Sequence, residues 1–255
     1  MRDSGLEEAI RAVGGVSELA RRLGISQPSV SNWDRVPAER VPAVEAATGI
    51  ERAVLRPDLF FSKAAPIDAI DSARAAEYAL LARLLAQAPD TDFLRRLSHL
   101  AGDATPLGVA HGALGAAAAR TNREAVEREF FDLFVGVGRS ELLPYGSYYL
   151  TGFLHERPLA RLRADLQRMG IERVEAQPEP EDHAAILCEI MSGLVAGAYG
   201  AEGMDRHVFE KHLAPWMARF FADLAGSKSA PFYACVGGLG RVFMMIESQA
   251  YALPP

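Results

Sequence analysis

Apolar residues recur at helical spacing through most of the chain. The segment ARAAEYALLARLLAQA carries leucines that pair at i, i+4, namely Leu80, Leu81, Leu84 and Leu85. Convincing period-two strand patterns are absent. The pattern therefore predicts an all-α protein whose larger part is a bundle of roughly eight or more helices.

Individual helix ends are also visible in the pattern. In REAVEREFFDLFVG, residues 123–136, one apolar face ends at Gly136, a residue that favours helix termination. PLARLRADLQRMG opens with Pro158 and closes with Gly170, the usual order of proline first and glycine last. In RHVFEKHLAPWMARFFADL, Pro215 is expected to kink the helix.

The segment VSELARRLGISQPSVSNW, residues 16–33, predicts two short helices joined by a tight turn. Gly24 supplies the turn conformation, Ser26 can cap the second helix and Pro28 falls in its first turn. The apolar residues that should pack between the two helices are Leu19, Leu23, Ile25, Val30 and Trp33.

Polar residues of the second helix have the side chains that read base edges and phosphates. The predicted DNA-contacting residues are Gln27, Pro28, Ser29, Ser31, Asn32, Arg21 and Arg35, with Arg22 and Arg40 as further candidates for phosphate contacts. The alternative is a small helical module that kept this fold without binding DNA. The charge of residues 1–63 favours that alternative, because nine Lys and Arg are balanced by nine Asp and Glu.

A stretch rich in small residues, SKAAPIDAIDSA, follows this module and resembles a linker. We therefore predict a first domain over residues 1–62, a linker over 63–72 and an all-helical domain over 73–255. Residues 64–255 hold eighteen Lys and Arg against twenty-four Asp and Glu, a net charge of −6. The larger domain is therefore the better partner for a cationic molecule.

Composition narrows the location and the chemistry. Two cysteines, Cys188 and Cys235, are too few for a disulfide framework or a four-thiolate metal site, which fits a reducing compartment. The N-terminal segment lacks the apolar core of a signal peptide, and no apolar run is long enough to span a membrane. We therefore expect a cytoplasmic protein.

The short stretch EPEDH, residues 179–183, is the densest polar cluster next to an apolar helix pattern. Glu175, Glu179, Glu181 and Asp182 place four carboxylates within eight positions. Pro180 should open the first turn of the following helix, with His183 one residue further inside. These acids could pair with arginines of a bound peptide, or they could only solvate the end of the helix.

Metal binding and catalysis are the competing interpretations of the same region. His207 and His212 are five positions apart, which does not place them on one face of an α-helix, and His183 and Cys188 have the same spacing. No metal site is therefore predicted. Tyr145, Ser147 and His183 could suggest hydrolysis, but no G-x-S-x-G motif or phosphate-binding loop is present, so no catalytic residues and no enzyme activity are predicted.

The first quarter of the chain resembles the Cro-like helix-turn-helix of phage regulators, in particular its YdaS-type branch. The resemblance rests on residues 16–33 and continues through VPAERVPAVEAATGI and LRPDLF. It implies DNA binding, which in this class normally involves dimers that read two half-sites.

Residues 73–250 resemble the TorD/DmsD/NarJ family of cytoplasmic chaperones, which mature molybdenum-containing oxidoreductases. The resemblance rests on the ordered motifs EFFDLFVGVG, PYGSYYLTG, EPEDH, HLAPWMARFF and FYACVGGLGRVF. Within these motifs, PY-x-S-x-Y and E-P-x-D-H are the most specific elements. The family is all-helical and binds the twin-arginine signal peptide, or the core of its client enzyme, until the molybdopterin cofactor is loaded.

The resemblance implies a client-specific chaperone that holds no cofactor of its own. Its client would be a formate dehydrogenase or another enzyme of the dimethyl sulfoxide reductase group, and helix exchange could produce a homodimer. The client-binding residues expected from the motifs and the acidic cluster are Tyr145, Ser147, Tyr149, Glu179, Pro180, Asp182, His183 and Trp216, with Tyr148 and Phe153 as further groove residues. The alternative function is a helix-turn-helix transcription regulator whose larger domain senses a client or ligand.

Overall fold

The computed structural model describes residues 3–56, 69–138, 140–171, 178–200 and 203–253. Within these ranges every named element is helical, and the single extended pairing is an isolated bridge between Tyr145 and His183. The all-α prediction is therefore confirmed. The chain divides into two compact units, Met1–Pro66 and Ile67–Pro255.

The smaller unit is built from short helices around its own apolar core. Its elements are α1 (Ser4–Ala12), α2 (Val16–Leu23), α3 (Gln27–Ser31), a 3-10 turn (Ala38–Arg40), α4 (Val41–Thr48) and α5 (Arg52–Leu55). Leu19 on α2 and Val30 on α3 are both fully buried in this core. Gly24 ends α2 in the left-handed conformation, with φ of 65°, which gives the turn that the sequence predicts. Ser26 lies at the start of α3, but its hydroxyl bonds to Ser29 at 2.7 Å rather than to a backbone N–H.

The larger unit contains longer helices. They are α6 (Ala69–Ala86), α7 (Thr91–Leu97), α8 (Pro106–Ala119), α9 (Arg123–Phe130), α10 (Gly146–Thr151), α11 (Arg157–Arg168), α12 (Ala184–Val195), α13 (Met204–Val208), α14 (Met217–Ala225) and α15 (Pro231–Ala252). α12 packs along α6, whereas α15 packs against α8 and α14. Gly237 allows the last contact, because a Cβ atom there would lie 2.3 Å from the backbone nitrogen of Ala225.

The helix α6 begins at Ala69, inside the stretch predicted as a linker over residues 63–72. The prediction placed the end of the linker too late. An ion pair of 2.7 Å between Asp71 and Arg74 supports the first turn of α6, and small residues are compatible with a helix as well as with a linker. Residues 63–68 of the predicted linker lie outside the described residues.

A buried ionic network joins α6 to α15. Glu247 is fully buried and accepts hydrogen bonds from Arg74 at 2.8 Å and from the hydroxyl of Tyr78 at 2.9 Å. Both partners lie on α6, so the network fixes the rotation of α6 against α15. Removing one member of such a pair leaves the other charge buried without compensation, which typically costs about 3–5 kcal/mol.

Two π-helical turns interrupt the helices near the predicted motifs. Phe131–Val135 continues α9 and ends at Gly136, which has φ of 64°. Phe209–Leu213 continues α13 and precedes Pro215, and α14 starts only at Met217. The long helix predicted around Pro215 is therefore broken in two rather than kinked, because proline cannot donate the hydrogen bond that would continue it. Turns of this kind occur often at functional sites.

Candidate functional site

The predicted motifs PYGSYY and EPEDH form one site through direct backbone pairing. The N–H of Ala184 donates to the carbonyl of Pro144 at 2.8 Å, and the N–H of Gly146 donates to the carbonyl of Asp182 at 2.9 Å. The rings of Tyr145 and His183 lie edge to face, with centroids 5.1 Å apart. Two segments whose paired residues are 36 to 40 positions apart in sequence are therefore held side by side.

His183 forms the N-cap of α12. Its Nδ1 accepts a hydrogen bond from the N–H of Ala185 at 3.1 Å, and burial lowers the pKa of His183 although Glu179 and Asp182 act in the opposite direction. The prediction that Pro180 opens the first helical turn is wrong. Pro180 instead accepts a hydrogen bond from the N–H of His183 at 3.0 Å, and the backbone stays outside the helix to pair with residues 144–146.

Asp182 is buried, with 3% of its surface exposed, and it is only half satisfied. Its Oδ2 accepts a hydrogen bond from the N–H of Ser147 at 2.7 Å. Among the described residues, Asp182 Oδ1 and the hydroxyl of Ser147 have no hydrogen-bond partner. A buried acceptor without a partner costs about 1–3 kcal/mol, so Asp182 Oδ1 is the clearest candidate for accepting a donor from a ligand.

The other carboxylates of the cluster have partners within the protein. Glu179 accepts a hydrogen bond of 2.7 Å from the hydroxyl of Tyr145, and burial together with this bond raises the pKa of Tyr145. Glu181 pairs with Arg163 at 2.8 Å. Glu175 lies outside the described residues. The sequence suggests an open acidic surface. In the structure, Tyr145 and Arg163 already donate to two of these carboxylates, so the cluster offers less free negative charge to a ligand.

Aromatic side chains form the second half of the site. Tyr149 packs on Trp216 with ring centroids 5.5 Å apart, donates to Asp223 at 2.9 Å and lies under the guanidinium of Arg219. The indole N–H of Trp216 donates to the carbonyl of His212 at 2.7 Å. Trp216 is 2% exposed, so it supports the site from inside rather than forming an open groove wall as predicted.

A small cavity of about 90 Å³ lies between α10, α11, α12 and the second π-helical turn. Asp182 and Trp216 line it, and Gly146 approaches Trp216 so closely that a Cβ atom would lie 3.0 Å from Nε1. The other lining residues were not predicted from the sequence: Leu150, Pro158, Arg161, Leu162, Leu187, Lys211 and His212. They come from four separate segments, so no local pattern identifies them as a group.

Exposed apolar side chains lie at the end of α10 and in the loop after it. Leu150 lines the cavity and is exposed, and Phe153 and Leu154 are exposed in the loop after α10. Phe153 was predicted as a groove residue, whereas Tyr148, predicted with it, is half-buried. The site thus combines a buried carboxylate oxygen with an apolar surface next to it.

In the smaller unit, the predicted DNA-contacting residues lie at the surface of α2, α3 and the segment after them. Gln27, Pro28, Ser29, Asn32, Arg21 and Arg35 are exposed, and Ser31 is half-buried. The Gln27 amide donates to the Ser31 hydroxyl at 2.8 Å. Arg21 and Arg22 both pair with Glu18, at 2.6 Å and 3.0 Å, which lowers the pKa of Glu18 to about 2.

The structure overturns the spacing argument used against His207 and His212. Because the second π-helical turn adds a residue per turn, the two imidazole rings come together edge to face, with centroids 6.4 Å apart. Asp165 of α11 joins them, and one ligand atom from each of the three residues lies within 4.8 Å of the others. Sequence spacing alone missed this cluster because it assumed regular α-helical geometry.

Comparisons with known proteins match the two units separately. Residues 100–222 match the family model described as nitrate reductase delta subunit, and residues 6–64 match the model described as bacterial toxin YdaS. Both resemblances predicted from the sequence are therefore confirmed. The PYGSYY and EPEDH motifs fall inside the first match, whereas the FYACVGGLGRVF motif lies beyond its end.

Individual relatives agree with the family models. Chaperone protein TorD of Vibrio vulnificus (strain YJ016) is 30% identical over 132 residues, which cover 47% of this chain and 61% of the relative. Chaperone protein TorD of Aliivibrio fischeri is 28% identical over 130 residues, covering 47% of this chain and 60% of the relative. The candidate transcriptional regulator YdaS of Escherichia coli (strain K12) is 47% identical over 62 residues, covering 22% of this chain and 63% of the relative.

The chain thus spans about 61% of the length of the TorD relatives that it matches. A solved structure, that of a candidate redox enzyme maturation protein from Archaeoglobus fulgidus, is 19% identical and covers 69% of this chain and 93% of that one. Its TM-score is 0.47. No helix in the described part of the chain is long and apolar enough to cross a membrane.

Proposed function

We propose that this chain, which joins a YdaS-like unit to a TorD-like unit, is a non-enzymatic cytoplasmic chaperone for a molybdenum oxidoreductase precursor. The client would be a formate dehydrogenase or another enzyme of the dimethyl sulfoxide reductase group. The chaperone would bind the client's twin-arginine signal peptide or its apo form, and the molybdopterin cofactor would belong to the client. The relatives named TorD support the chaperone class.

The observation that carries this proposal is the free oxygen of Asp182. Asp182 Oδ1 has no partner among the described residues, and Asp182 lines the cavity together with Leu150. A guanidinium can donate to this oxygen through a charge-assisted hydrogen bond, which is roughly twice as strong as a neutral one. Glu179, which is half-buried at the same site, adds negative charge.

The apolar part of a signal peptide requires a second surface. Leu150, which lines the cavity, and Phe153 and Leu154 in the loop after α10 expose 44%, 69% and 41% of their surfaces. Burying apolar side chains of this size contributes about 1.5–3 kcal/mol each when they become fully covered. Arginine and apolar contacts would therefore come from adjacent parts of one site.

Two cations on the cavity wall oppose the binding of an arginine. Arg161 and Lys211 line the same cavity as Asp182, so an incoming guanidinium meets like charges there. Neutralising Arg161, which is exposed on α11, should therefore strengthen binding, whereas neutralising Asp182 should weaken it. General damage to the fold would weaken binding in both variants, so opposite changes in affinity indicate electrostatic recognition.

Isothermal titration calorimetry with a twin-arginine peptide, and with the same peptide carrying two lysines, tests the proposal. We expect Asp182→Asn to weaken the arginine peptide at least about tenfold, because an interaction of about 1.5–3 kcal/mol with a charged group is lost. Arg161→Gln should tighten it, and Asp92→Asn, an exposed carboxylate on α7, should leave it unchanged. Equal affinities in wild type and Asp182→Asn would refute the proposed site.

The exposed polar face of α3 supports a second function, DNA binding by the smaller unit. Gln27, Ser29 and Asn32 are accessible for contact with base edges, although Glu18 compensates the two arginines of α2. An electrophoretic mobility shift assay with the DNA upstream of this gene tests this function. No shift at low salt, where phosphate contacts are strongest, would contradict it.

A further inference from the structure

The Asp165 cluster combines three side chains that commonly bind metal ions. Asp165 is 1% exposed, and its Oδ2 lies 2.7 Å from His212 Nε2 and 3.4 Å from His207 Nε2. Metal bonds of about 2.0–2.2 Å to nitrogen and oxygen separate ligand atoms by roughly 3–4 Å, so small rotations of the imidazole rings suffice to share one ion. His207 is the exposed member, whereas His212 is buried.

We propose that Asp165, His207 and His212 form a binding site for a divalent transition-metal ion, for which zinc is the best match. Two imidazoles and one carboxylate are a ligand set that zinc accepts, with a fourth position left for water. A cavity of about 260 Å³ beside Asp165 and His207 provides access from solvent and room for that water. His212 and Lys211 also line the cavity next to Asp182, but the metal site rests on different observations and does not depend on client binding.

Neutral imidazole is the form that binds metal. Burial, with the charge of Lys211 next, lowers the pKa of His212 to about 4. Metal binding at Nε2 of neutral His212 requires the tautomer that carries the ring proton on Nδ1, so the proton moves between the two ring nitrogens and none is released.

Lys211 is the main competitor of the ion. Its ammonium lies 2.5 Å from Asp165 Oδ2, in the position next to the carboxylate that a metal ion would take, and Arg168 pairs with Oδ1. The side chains of Lys211 and Arg168 are 42% and 71% exposed, so both can turn towards water. The site therefore binds metal at the cost of displacing Lys211, and removing this ammonium should raise the affinity.

Titration of the tag-free protein with Zn²⁺, followed by calorimetry and by the metal content after dialysis, tests the site. We expect one ion per chain in the wild type and an affinity at least about tenfold lower in His207→Ala, because the loss of even a supporting residue typically costs 10–100-fold. Lys211→Gln should bind several-fold more tightly. The control His99→Ala removes an exposed histidine outside the cluster and should behave as wild type.

Co²⁺ provides a second measurement. The visible spectrum should show four-coordinate nitrogen and oxygen ligation without the thiolate band that binding at Cys235 would produce. His207 is half-exposed, so its replacement should leave the fold intact, and equal melting temperatures of the metal-free proteins verify this. No saturable binding, a thiolate band, or equal affinity in wild type and His207→Ala would overturn the proposal.

Discussion

Individual residues in the site combine a structural role with the recognition role that we propose for them. Asp182 aligns α10 through the N–H of Ser147 and leaves one oxygen for a ligand, while His183 caps α12 through Nδ1. The identity of EPEDH was visible in the sequence, and so was its proximity to an apolar helix. The sequence did not show that one oxygen of Asp182 lacks a partner, because this depends on the positions of all donors around it in the folded protein.

The cap of α12 should make stability depend on pH. Burial lowers the pKa of His183 below the value of about 6.5 that it has in the unfolded chain. Its contribution is therefore complete above pH 6.5 and is lost as the pH falls from there towards the lower folded pKa, because the unfolded state binds the proton first. Urea unfolding at pH 7 and pH 5 measures this loss.

Two variants separate the cap from its titration. His183→Ala should lose about 1 kcal/mol at pH 7, as expected for removal of an N-cap acceptor. His183→Asn keeps an N-cap acceptor but does not titrate, so its stability should fall less than that of the wild type between pH 7 and pH 5. A parallel fall in both proteins would show that other groups cause the pH dependence.

At the scale of elements, close helix contacts depend on particular glycines. Gly237 and Gly238 are neighbours on α15, but only Gly237 lies against α14, where a Cβ atom would be 2.3 Å from the nitrogen of Ala225. A Cβ atom at Gly238 would have no neighbour within 4 Å. Helix periodicity predicted α15, whereas the difference between the two glycines depends on the position of α14.

Replacing each of these two glycines with alanine should change the stability of the protein in opposite directions. Gly237→Ala should destabilise the protein by about 1–3 kcal/mol, because overpacking forces α14 and α15 apart. Gly238→Ala should stabilise it by roughly 0.5–1 kcal/mol, because alanine has the higher helix propensity. Chemical denaturation of both variants checks the prediction, and destabilisation of similar size in both would contradict the packing of α15.

The helix α2 carries its own counterion, which should weaken contact with DNA. Glu18 accepts hydrogen bonds from both Arg21 and Arg22. In Glu18→Gln, both guanidinium groups lose their ion pair, although Arg22 keeps its hydrogen bond to the carbonyl of Ala47. Each new phosphate contact adds about 0.9 to the salt dependence of binding. We therefore expect tighter binding and a slope that is steeper by about one to two units.

Fluorescence anisotropy with duplex DNA at several salt concentrations measures this slope. Glu8→Gln is the matched control, because it removes the same charge from an exposed position on α1. If both variants gain equally, the effect comes from net charge alone and the pairing with Glu18 plays no role.

At the scale of the whole molecule, the chain joins two kinds of surface in one polypeptide. The smaller unit has the helix-turn-helix, and the larger unit has the site at which we propose that a client binds. A chaperone joined to a DNA reader could report how much client awaits maturation. Such a report requires that the occupancy of one site changes the affinity of the other, by the same factor in both directions.

A coupling experiment tests this idea on the full chain. DNA affinity measured with and without saturating twin-arginine peptide should differ by about 5–150-fold if the coupling free energy has the usual size. The two-lysine peptide serves as the control for non-specific charge effects. An unchanged DNA affinity would mean that the two units act independently.

The sequence by itself determined the all-α class, the helix-turn-helix and the two family resemblances, because local periodicity, turn residues and short motifs carry that information. It also identified EPEDH and PYGSYY, but not that their backbones pair or that three of the acids already have partners. The tertiary structure alone decided which oxygen of Asp182 remains free. It also brought Asp165 together with His207 and His212, because a π-helical turn changes which residues share a face, and sequence spacing assumes a regular helix.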